Sequence, residues 1–330
     1  MMLLDTNNFK NLSYAHQFTP NETATFVGIL DQVQAELELV VTNLETNNAS
    51  LAQSHAYKAA SLLTPKIMAE ITEDNPRLTS DLLRALDQLR NVSSSESQLK
   101  NVSHLVNDLN NRLGQDSLVR LAQVQPTSSN PLEGALKSLT GMFGGSNTRE
   151  ETDQNTKLQA LAFANVIDGL LINYGKAYDV GFDMTNMSNM VMAANSNNPD
   201  SMVMSNPMSG NNSSMSKMNM PSMNASSNTM TLTNNVSEMN MGYTLANISD
   251  YQSAQGLAKK ALEVFNTKLK LAIPDDDKNA TAFVTKLGTG VTHLNESIAT
   301  KDSPLNIMMI VHTQVHPNLL EAFNLQLRKQ

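Results

Sequence analysis

The chain has 330 residues, 23 Lys and Arg against 31 Asp and Glu, a net charge of −8 and a pI near 5.2. This length suits one to three domains with a hydrophobic core. The acidic balance argues against binding to nucleic acid or to anionic membranes. Because there is no Cys, disulfides, thiolate metal sites and a cysteine nucleophile are excluded. No apolar run approaches the roughly 18 residues of a membrane span.

In the first third of the chain, apolar residues at intervals of three and four predict helices. The first runs from about residue 20 to 44, and the second begins at an N-cap candidate, Ser50, and is kinked or shortened by Pro65. Two more follow at 78–89 and 99–113. Strand signals are nearly absent. Four amphipathic helices with short connections favour an antiparallel bundle.

Gly, Pro, Ser and Asn then predict a linker, and a long helix follows that is capped by Thr148 or Thr152 and ends near Gly181. Helical patterning returns at 257–269, 283–298 and 307–327. The sequence therefore predicts an all-α fold of two four-helix-like bundles. We expect an N-terminal tail at 1–19, the first bundle at 20–124, a linker at 125–148, the second bundle at 149–183 with 249–330, and a flexible Met-rich insertion at 184–248.

Methionine is concentrated in residues 184–241, which we call the Met-rich segment. Its 58 residues contain 14 of the 20 Met of the chain, whereas the other 272 residues contain 6. Asn, Ser, Thr, Gly and Pro fill most of the remainder, and no Leu, Ile or Phe precedes Leu232. A segment of this composition cannot form an ordinary core. Its Met residues recur in M-x-x-M and M-x-M steps, grouped at 184–192, 202–208 and 215–223.

Clustered thioethers have a narrow chemistry. They bind Cu(I) and its analogue Ag(I) without losing a proton, and they have little affinity for hard cations. Two or three thioethers within a few flexible residues can close around one Cu(I) ion of low coordination number. The candidate ligands are Met184, Met187, Met190, Met192, Met202, Met204, Met208, Met215, Met218, Met220 and Met223.

Two stretches, MTNMSNMVM from Met184 and MSKMNMPSM from Met215, resemble methionine motifs of known copper proteins. The similar families are the high-affinity copper transporters, in their extracellular Met-rich segments, and the bacterial and archaeal copper-resistance and copper-acquisition proteins. The resemblance covers the Met-rich segment alone and lacks interleaved His and transmembrane helices. It implies copper ions as the ligand and capture of Cu(I) outside the reducing cytosol, but not transport. For such a protein we expect a copper-accepting protein or a cell-surface partner.

Other interpretations of the Met-rich segment stay open. Met can form an adaptable packing surface, although Leu, Ile and Phe would normally accompany it. An AT-rich genome can raise Asn and Met, although Lys and Ile would then rise too. The thioethers could also act as a sacrificial trap for oxidants. The alternative function is a glycosylated structural or adhesive cell-surface protein, in which the segment is a spacer or an oxidant sink.

Sequons of the form Asn-x-Ser/Thr are more frequent than the composition alone predicts. With 39 Asn and 57 Ser and Thr, chance gives roughly 7 sequons. The sequence contains 13, which start at Asn11, Asn21, Asn48, Asn91, Asn101, Asn186, Asn211, Asn212, Asn224, Asn235, Asn247, Asn279 and Asn295. Asn, Ser and Thr also meet at turns and N-caps. Together with the Met residues, the excess favours an extracellular or cell-surface location over the cytoplasm, although residues 1–5 carry no secretory signal.

His312 and His316 are four residues apart, which would place two imidazoles on one helical face as a site for Cu(II) or Zn(II). Pro317 disfavours an α conformation at His316 and is expected to break this register by starting the last helix. His55 falls on an apolar stripe and is predicted to be a hydrogen-bonded interior residue. Asp275 and Asp277 lack the later Gly and Glu of a calcium loop and are better explained as a helix N-terminus.

The motifs that mark common enzymes are missing from the sequence. There is no phosphate-binding glycine loop, no G-x-S-x-G elbow, no H-E-x-x-H and no Glu-x-x-His step of a di-iron bundle. The sequence therefore predicts a protein that is not an enzyme, with Cu(I) as its expected cofactor.

Overall fold

The computed structural model describes residues 21–93, 95–123, 149–181, 183–185, 243–273 and 277–325. In these ranges the chain forms helices and no strand, which confirms the all-α prediction. The α-helices are α1 (Glu22–Glu45), α2 (Ala49–Leu62), α3 (Pro65–Asp74), α4 (Pro76–Arg90), α5 (Glu96–Gln123), α6 (Arg149–Ala177), α7 (Ile248–Val264), α8 (Lys278–Ala299), α9 (Pro304–Ile310) and α10 (His316–Phe323).

Two π-helical turns extend these helices. Phe265–Leu269 continues α7 and leads into a 3₁₀ turn at Lys270–Ala272, and Val311–Val315 joins α9 to α10. The predicted N-terminal tail, the predicted linker and the Met-rich segment beyond residue 185 lie outside the described residues. None of the described helices combines the length and the apolarity that crossing a membrane requires.

Asn side chains begin several of these helices. Asn21, Asn48 and Asn247 are the N-caps of α1, α2 and α7, and each side-chain oxygen accepts a backbone N–H of the first turn at 3.0–3.2 Å. Such a cap is worth about 1 kcal/mol to the helix. The prediction that Ser50 caps the second helix is therefore wrong by two residues. Since all three Asn also start sequons, helix capping accounts for part of the sequon excess.

Asp and Pro residues also mark where helices begin and end. Asp277 caps α8 by accepting the Ala280 N–H at 3.0 Å, which confirms the helix N-terminus predicted for this acidic stretch. α2 ends before Pro65, and Pro65 becomes the first residue of α3 after the Thr64 N-cap. The predicted shortening at Pro65 is thereby confirmed. Proline suits this position because its missing N–H would be unpaired there in any case.

Buried apolar side chains form two clusters. One is contributed mainly by α1 to α5, including Phe26, Leu30 and Leu37 of α1, and is joined by Leu158 and Ala162 of α6. The other is contributed by α6 to α10, with Phe163, Ile167 and Tyr174 of α6 among its members. α1 packs against α2, α5, α6 and α7 and so joins the two clusters. The division of the chain into two bundles stays a prediction, because α1 and α6 also pack directly on each other.

Glycine permits the close contact between α1 and α6. A Cβ atom added to Gly28 would lie 2.7 Å from the Cβ of Asn165 and 2.8 Å from the carbonyl oxygen of Ala162. One added to Gly169 would lie 2.6 Å from Oε1 of Gln32. Gln32 also donates from Nε2 to the Asn165 carbonyl at 3.0 Å. A larger residue at Gly28 would force the two helices apart, whereas one at Gly169 would displace the Gln32 side chain from its hydrogen bond.

Candidate metal centre

The first residue of the Met-rich segment and the chain that follows the segment are both held at the carboxyl end of α6. On the outgoing side, Met184 is 2 % exposed, and a Cβ on Gly175 would lie 3.2 Å from its sulfur. On the returning side, the N–H groups of Ala246 and Asn247 donate to the Ala177 carbonyl at 2.8 and 3.0 Å. Gly175 and Ala177 are two residues apart, so the chain leaves the helices and rejoins them within one turn of α6.

A tight polar turn places Met184. The N–H groups of Asp179 and Val180 donate to the carbonyls of Lys176 and Gly175 at 3.3 and 3.1 Å and so close the end of α6. Asp179 has a φ of +50°, which Asp tolerates better than most residues because its short polar side chain bonds locally. Asp183 then accepts the N–H and the hydroxyl of Thr185 at 2.9 and 2.5 Å. The Met184 side chain, between these two residues, is buried in the second cluster.

His312 and His316 lie beside the first residue of the Met-rich segment. His312 Nε2 is 3.3 Å from the carbonyl oxygen of Met184, and the His312 and His316 rings meet edge to face with their centroids 5.2 Å apart. His316 is 8 % exposed. The fold thus brings the main chain of Met184 beside His312, 128 residues later in the sequence, while the Met184 sulfur packs against Gly175.

Pro317 lies in the first turn of α10, as the sequence predicted, but the expectation that it separates the two histidines is wrong. His316 has φ −62° and ψ −45°, which is helical, and the chain stays helical from Pro304 to Phe323. A proline has no N–H and its ring crowds the carbonyl four residues earlier. The π-helical turn directly before His316 widens the helix at this point and accommodates Pro317.

The other predicted ligands cannot be placed. They lie outside the described residues and are Met187, Met190, Met192, Met202, Met204, Met208, Met215, Met218, Met220 and Met223. Across the described ranges, no three His, Asp or Glu side chains are grouped to hold a metal ion. His312 and His316 therefore offer two nitrogen donors, and a four-coordinate metal would need further ligands. Thioethers are suitable further ligands for Cu(I).

Two tyrosine hydroxyls anchor the end of α8 and the start of α9 to α7 and α6. Tyr174 donates its hydroxyl to the carbonyl of Asp302 at 2.5 Å, and Tyr251 donates to that of Ile298 at 2.8 Å. The rings of Tyr174 and Tyr178 lie 4.9 Å apart between centroids. Burial raises the pKa of Tyr174 far above its ordinary value, so its hydroxyl keeps its proton and its hydrogen bond at any physiological pH. This anchor sets the start of α9, and with it the placement of His312.

A separate cavity of about 570 Å³ lies between the end of α7 and α8. The ring of Phe265 forms part of its wall and packs against Gly288, where a Cβ would lie 2.7 Å from the ring. Thr285, Thr289 and Thr292 also line it, and each hydroxyl donates to the carbonyl four residues earlier. It contains none of the predicted ligands. The sequence did not reveal it, because exposed threonines at helical spacing carry no chemical signature.

His55 is an interior residue, as the sequence predicted. It is 0 % exposed, with Nδ1 2.7 Å from Oε2 of Glu36 on α1 and Nε2 2.9 Å from Oε1 of Gln252 on α7. Its partners were not predicted, because they are 19 and 197 residues away in the sequence. Neither partner falls in a recognisable motif.

The chain matches no protein-family model, no curated protein and no solved structure. Composition and local geometry are therefore the grounds on which a function can be assigned.

Proposed function

We propose that this protein captures Cu(I) outside the cytosol through the thioethers of its Met-rich segment, and that it stores the ion or passes it to a copper-accepting protein. The observation that carries the proposal is the density of Met, 14 in 58 residues against 6 in the other 272. Selection for packing would have supplied Leu, Ile and Phe as well. A site made of thioethers alone is selective for soft, monovalent metal and works without deprotonation.

The structure around the ends of the segment supports this proposal. Because residues 184 and 246 are both fixed at the end of α6, the thioethers are tethered to a stable helical scaffold. The imidazoles of His312 and His316 lie where the segment begins. Nitrogen donors at this position can take a copper ion delivered by the thioethers, and imidazole binds both oxidation states of copper.

The competing function is a glycosylated cell-surface protein with the segment as a spacer. Its main support is the sequon excess. Of the seven sequons within the described ranges, three begin with an Asn that caps a helix and accepts backbone N–H groups. This engagement gives those residues a structural reason to be present, which weakens the argument from their number.

A Cu(I) titration tests the proposal. The full chain and a variant in which a short Gly-Ser linker replaces residues 186–241 are titrated anaerobically against a chromophoric Cu(I) competitor. We expect several ions to bind the full chain and to be lost with the deletion, while far-ultraviolet circular dichroism shows the same helices in both. Equal binding by both proteins, or no binding by either, would refute the proposal and favour the spacer.

Met309 supplies the matched control. It lies outside the segment on α9 and is 39 % exposed, so its thioether is accessible but belongs to none of the three Met clusters. Met309→Leu should leave the number of bound Cu(I) ions unchanged. A loss of copper in this variant would mean that any accessible thioether contributes and that clustering is unimportant.

A further inference from the structure

The amide groups of Asn43 and Gln252 have one permitted orientation. Asn43 donates from Nδ2 to the Leu39 carbonyl at 2.9 Å, so turning this amide over would set two carbonyl oxygens against each other. Asn43 and Gln252 then exchange two hydrogen bonds, at 3.1 and 3.2 Å. If the Gln252 amide alone were turned over, its NH₂ group would face the NH₂ group of Asn43 and its oxygen would face the Asn43 oxygen. The Leu39 carbonyl thereby fixes the Gln252 oxygen as the atom that faces His55.

This orientation determines the protonation of the His55 ring. Since the Gln252 oxygen accepts at 2.9 Å, His55 Nε2 must carry a proton and donate it. His55 Nδ1 lies 2.7 Å from a carboxylate oxygen of Glu36, and neither atom is exposed to water, with the two side chains 0 and 4 % exposed. A bare carboxylate facing the lone pair of Nδ1 would be repulsive. A second proton therefore lies between Glu36 and Nδ1.

We infer that Glu36 and His55 hold one bound proton between them as part of the folded structure, and that this proton makes the junction of α1, α2 and α7 a clasp that weakens as the pH rises. The separation of 2.7 Å is typical of a charge-assisted N–H···O bond. His55 is then the imidazolium and Glu36 the carboxylate. The inference is independent of copper binding, and either proposal can fail without the other.

The neighbouring charges have partners of their own. Lys58 on α2 pairs with Asp250 on α7 at 2.5 Å, and Lys260 on α7 lies 3.6 Å from Glu38 on α1. From α4, Arg90 stacks on the ring of Tyr57 at 5.4 Å. α5 and α6 pack on other faces of α1, where their backbone carbonyls accept from Gln34 and Gln32. Each of these charged side chains thus has another partner, and the bound proton is the interaction that Glu36 and His55 make with each other.

The direction of the pH effect follows from counting protons. In the unfolded chain, His binds its proton below about pH 6.5 and Glu below about pH 4.3. The folded pair holds one proton. Above about pH 6.5 the unfolded pair holds none, so folding becomes about tenfold less favourable for each pH unit until the folded pair loses its proton. Below about pH 4.3 the unfolded pair holds two, and stability falls with falling pH. The pair stabilises the fold best between these values.

Glu36→Gln separates this proton from all others. The Gln side chain can donate from Nε2 to the neutral Nδ1 of His55, so the hydrogen bonds remain without the extra proton. We measure the folding equilibrium constants of the native protein and the variant by urea denaturation from pH 5 to 8, without copper. The ratio of the native constant to that of the variant should fall about tenfold for each pH unit, or about a thousandfold across the range. The reason is that the folded native protein holds one proton more than the folded variant, whereas the two unfolded chains hold the same number. A constant ratio would overturn the inference, because it would mean that Glu36 is ionised beside a neutral His55.

Glu38→Gln is the matched control on the same helix. Glu38 is 51 % exposed and lies 3.6 Å from Lys260, so its carboxylate faces water and a cation and shares no proton with a histidine. The ratio of the native constant to that of this variant should stay the same from pH 5.5 to 8. A slope equal to that of Glu36→Gln would mean that the pH dependence belongs to α1 as a whole, which would also overturn the inference.

Nuclear magnetic resonance of the native protein decides the question if Glu36→Gln does not fold. At pH 7 the ¹⁵N shifts of His55 should show two protonated ring nitrogens, and the ¹³Cδ shift of Glu36 should show an ionised carboxylate. If the ring were neutral and the carboxyl group protonated, the folded pair would still hold one proton, located on Glu36, and the result would support the inference. A neutral ring beside an ionised carboxylate would overturn it.

Discussion

The helices α1 to α10 and the Met-rich segment are built from almost separate sets of residues. The buried positions of the helices are filled mainly by Leu, Ile, Val, Ala and Phe, with Met308 as a rare thioether. The Met-rich segment has the opposite composition, with 14 Met and no Leu, Ile or Phe before Leu232. Shape-specific side chains create one packed arrangement, whereas the proposed Cu(I) sites require unbranched thioethers that can adapt to a metal.

Met184 belongs to both regions. It is the first Met of the segment, but it is buried against Gly175 like a core residue. The comparison therefore predicts that stability and copper binding can be changed separately, with Met184 and the neighbouring histidines at the boundary. Mutations in the helices should alter stability and leave copper binding intact, and mutations in the segment should do the reverse.

The largest effect on stability is expected from Gly28→Ala, at the contact of α1 with α6. The new methyl group would lie 2.7 Å from the Cβ of Asn165 and 2.8 Å from the backbone oxygen of Ala162, neither of which can swing away. We expect a loss of about 3 kcal/mol, measured by urea denaturation, with the number of bound Cu(I) ions unchanged.

Gly114→Ala is the control for this substitution. A Cβ at Gly114 on α5 would meet its nearest neighbour at 3.6 Å, an ordinary contact. The better helix propensity of Ala should then stabilise the protein by about 0.5–1 kcal/mol. Equal effects of the two substitutions would contradict the close crossing of α1 and α6.

A smaller effect, which depends on pH, is expected at Asp116 on α5. Burial, together with the nearby charge of Asp74, raises the pKa of Asp116 to about 6, and Arg120 opposes the shift only in part. The pKa of Asp116 is higher in the folded chain than in the unfolded chain. The contribution of this carboxyl group to stability is therefore fully present below about pH 4 and is lost as the pH rises through 6. Asp116→Asn should therefore stabilise the protein at pH 7 by up to about 2 kcal/mol and have much less effect at pH 4.

Asp81→Asn is expected to change the stability in the opposite direction. Asp81 is partly exposed and its carboxylate lies 2.7 Å from a guanidinium nitrogen of Arg112. Removing this charge should lower stability at pH 7 by less than about 1 kcal/mol. Denaturation of both variants at pH 4 and pH 7 checks the pair. If Asp116→Asn were destabilising at pH 7, the carboxylate would have to be better solvated than its burial indicates.

The sequence predicted those parts of the fold that local patterns specify. The apolar stripes at 20–44, 78–89 and 99–113 correspond to α1, α4 and α5. The short helix α3 was not predicted as a separate element, because only two of its side chains, Ile67 and Ile71, are buried between two prolines. The π-helical turn at Val311–Val315 was also missed, since it depends on how the chain accommodates Pro317 and no side-chain periodicity marks it.

The candidate site divides in the same way. The spacing of His312 and His316 is a local feature and could be read directly. The contact of His312 with the Met184 carbonyl spans 128 residues and required the tertiary structure. The partners of His55 were missed for the same reason, because Gln252 reaches it only when α7 packs on α2. Interactions between distant polar residues leave no periodicity from which they could be predicted.

The smallest effect on stability, and the clearest effect on copper, is expected in the third Met cluster. Replacing Met215, Met218, Met220 and Met223 by Leu keeps size and hydrophobicity but removes four thioether ligands. The number of Cu(I) ions bound in the competition titration should fall, whereas the free energy of unfolding should change by less than about 0.5 kcal/mol. Unchanged copper binding would show that these steps are not sites. A loss of stability as large as that of Gly28→Ala would show that the segment contributes to the core, and the separation between the two regions would then be wrong.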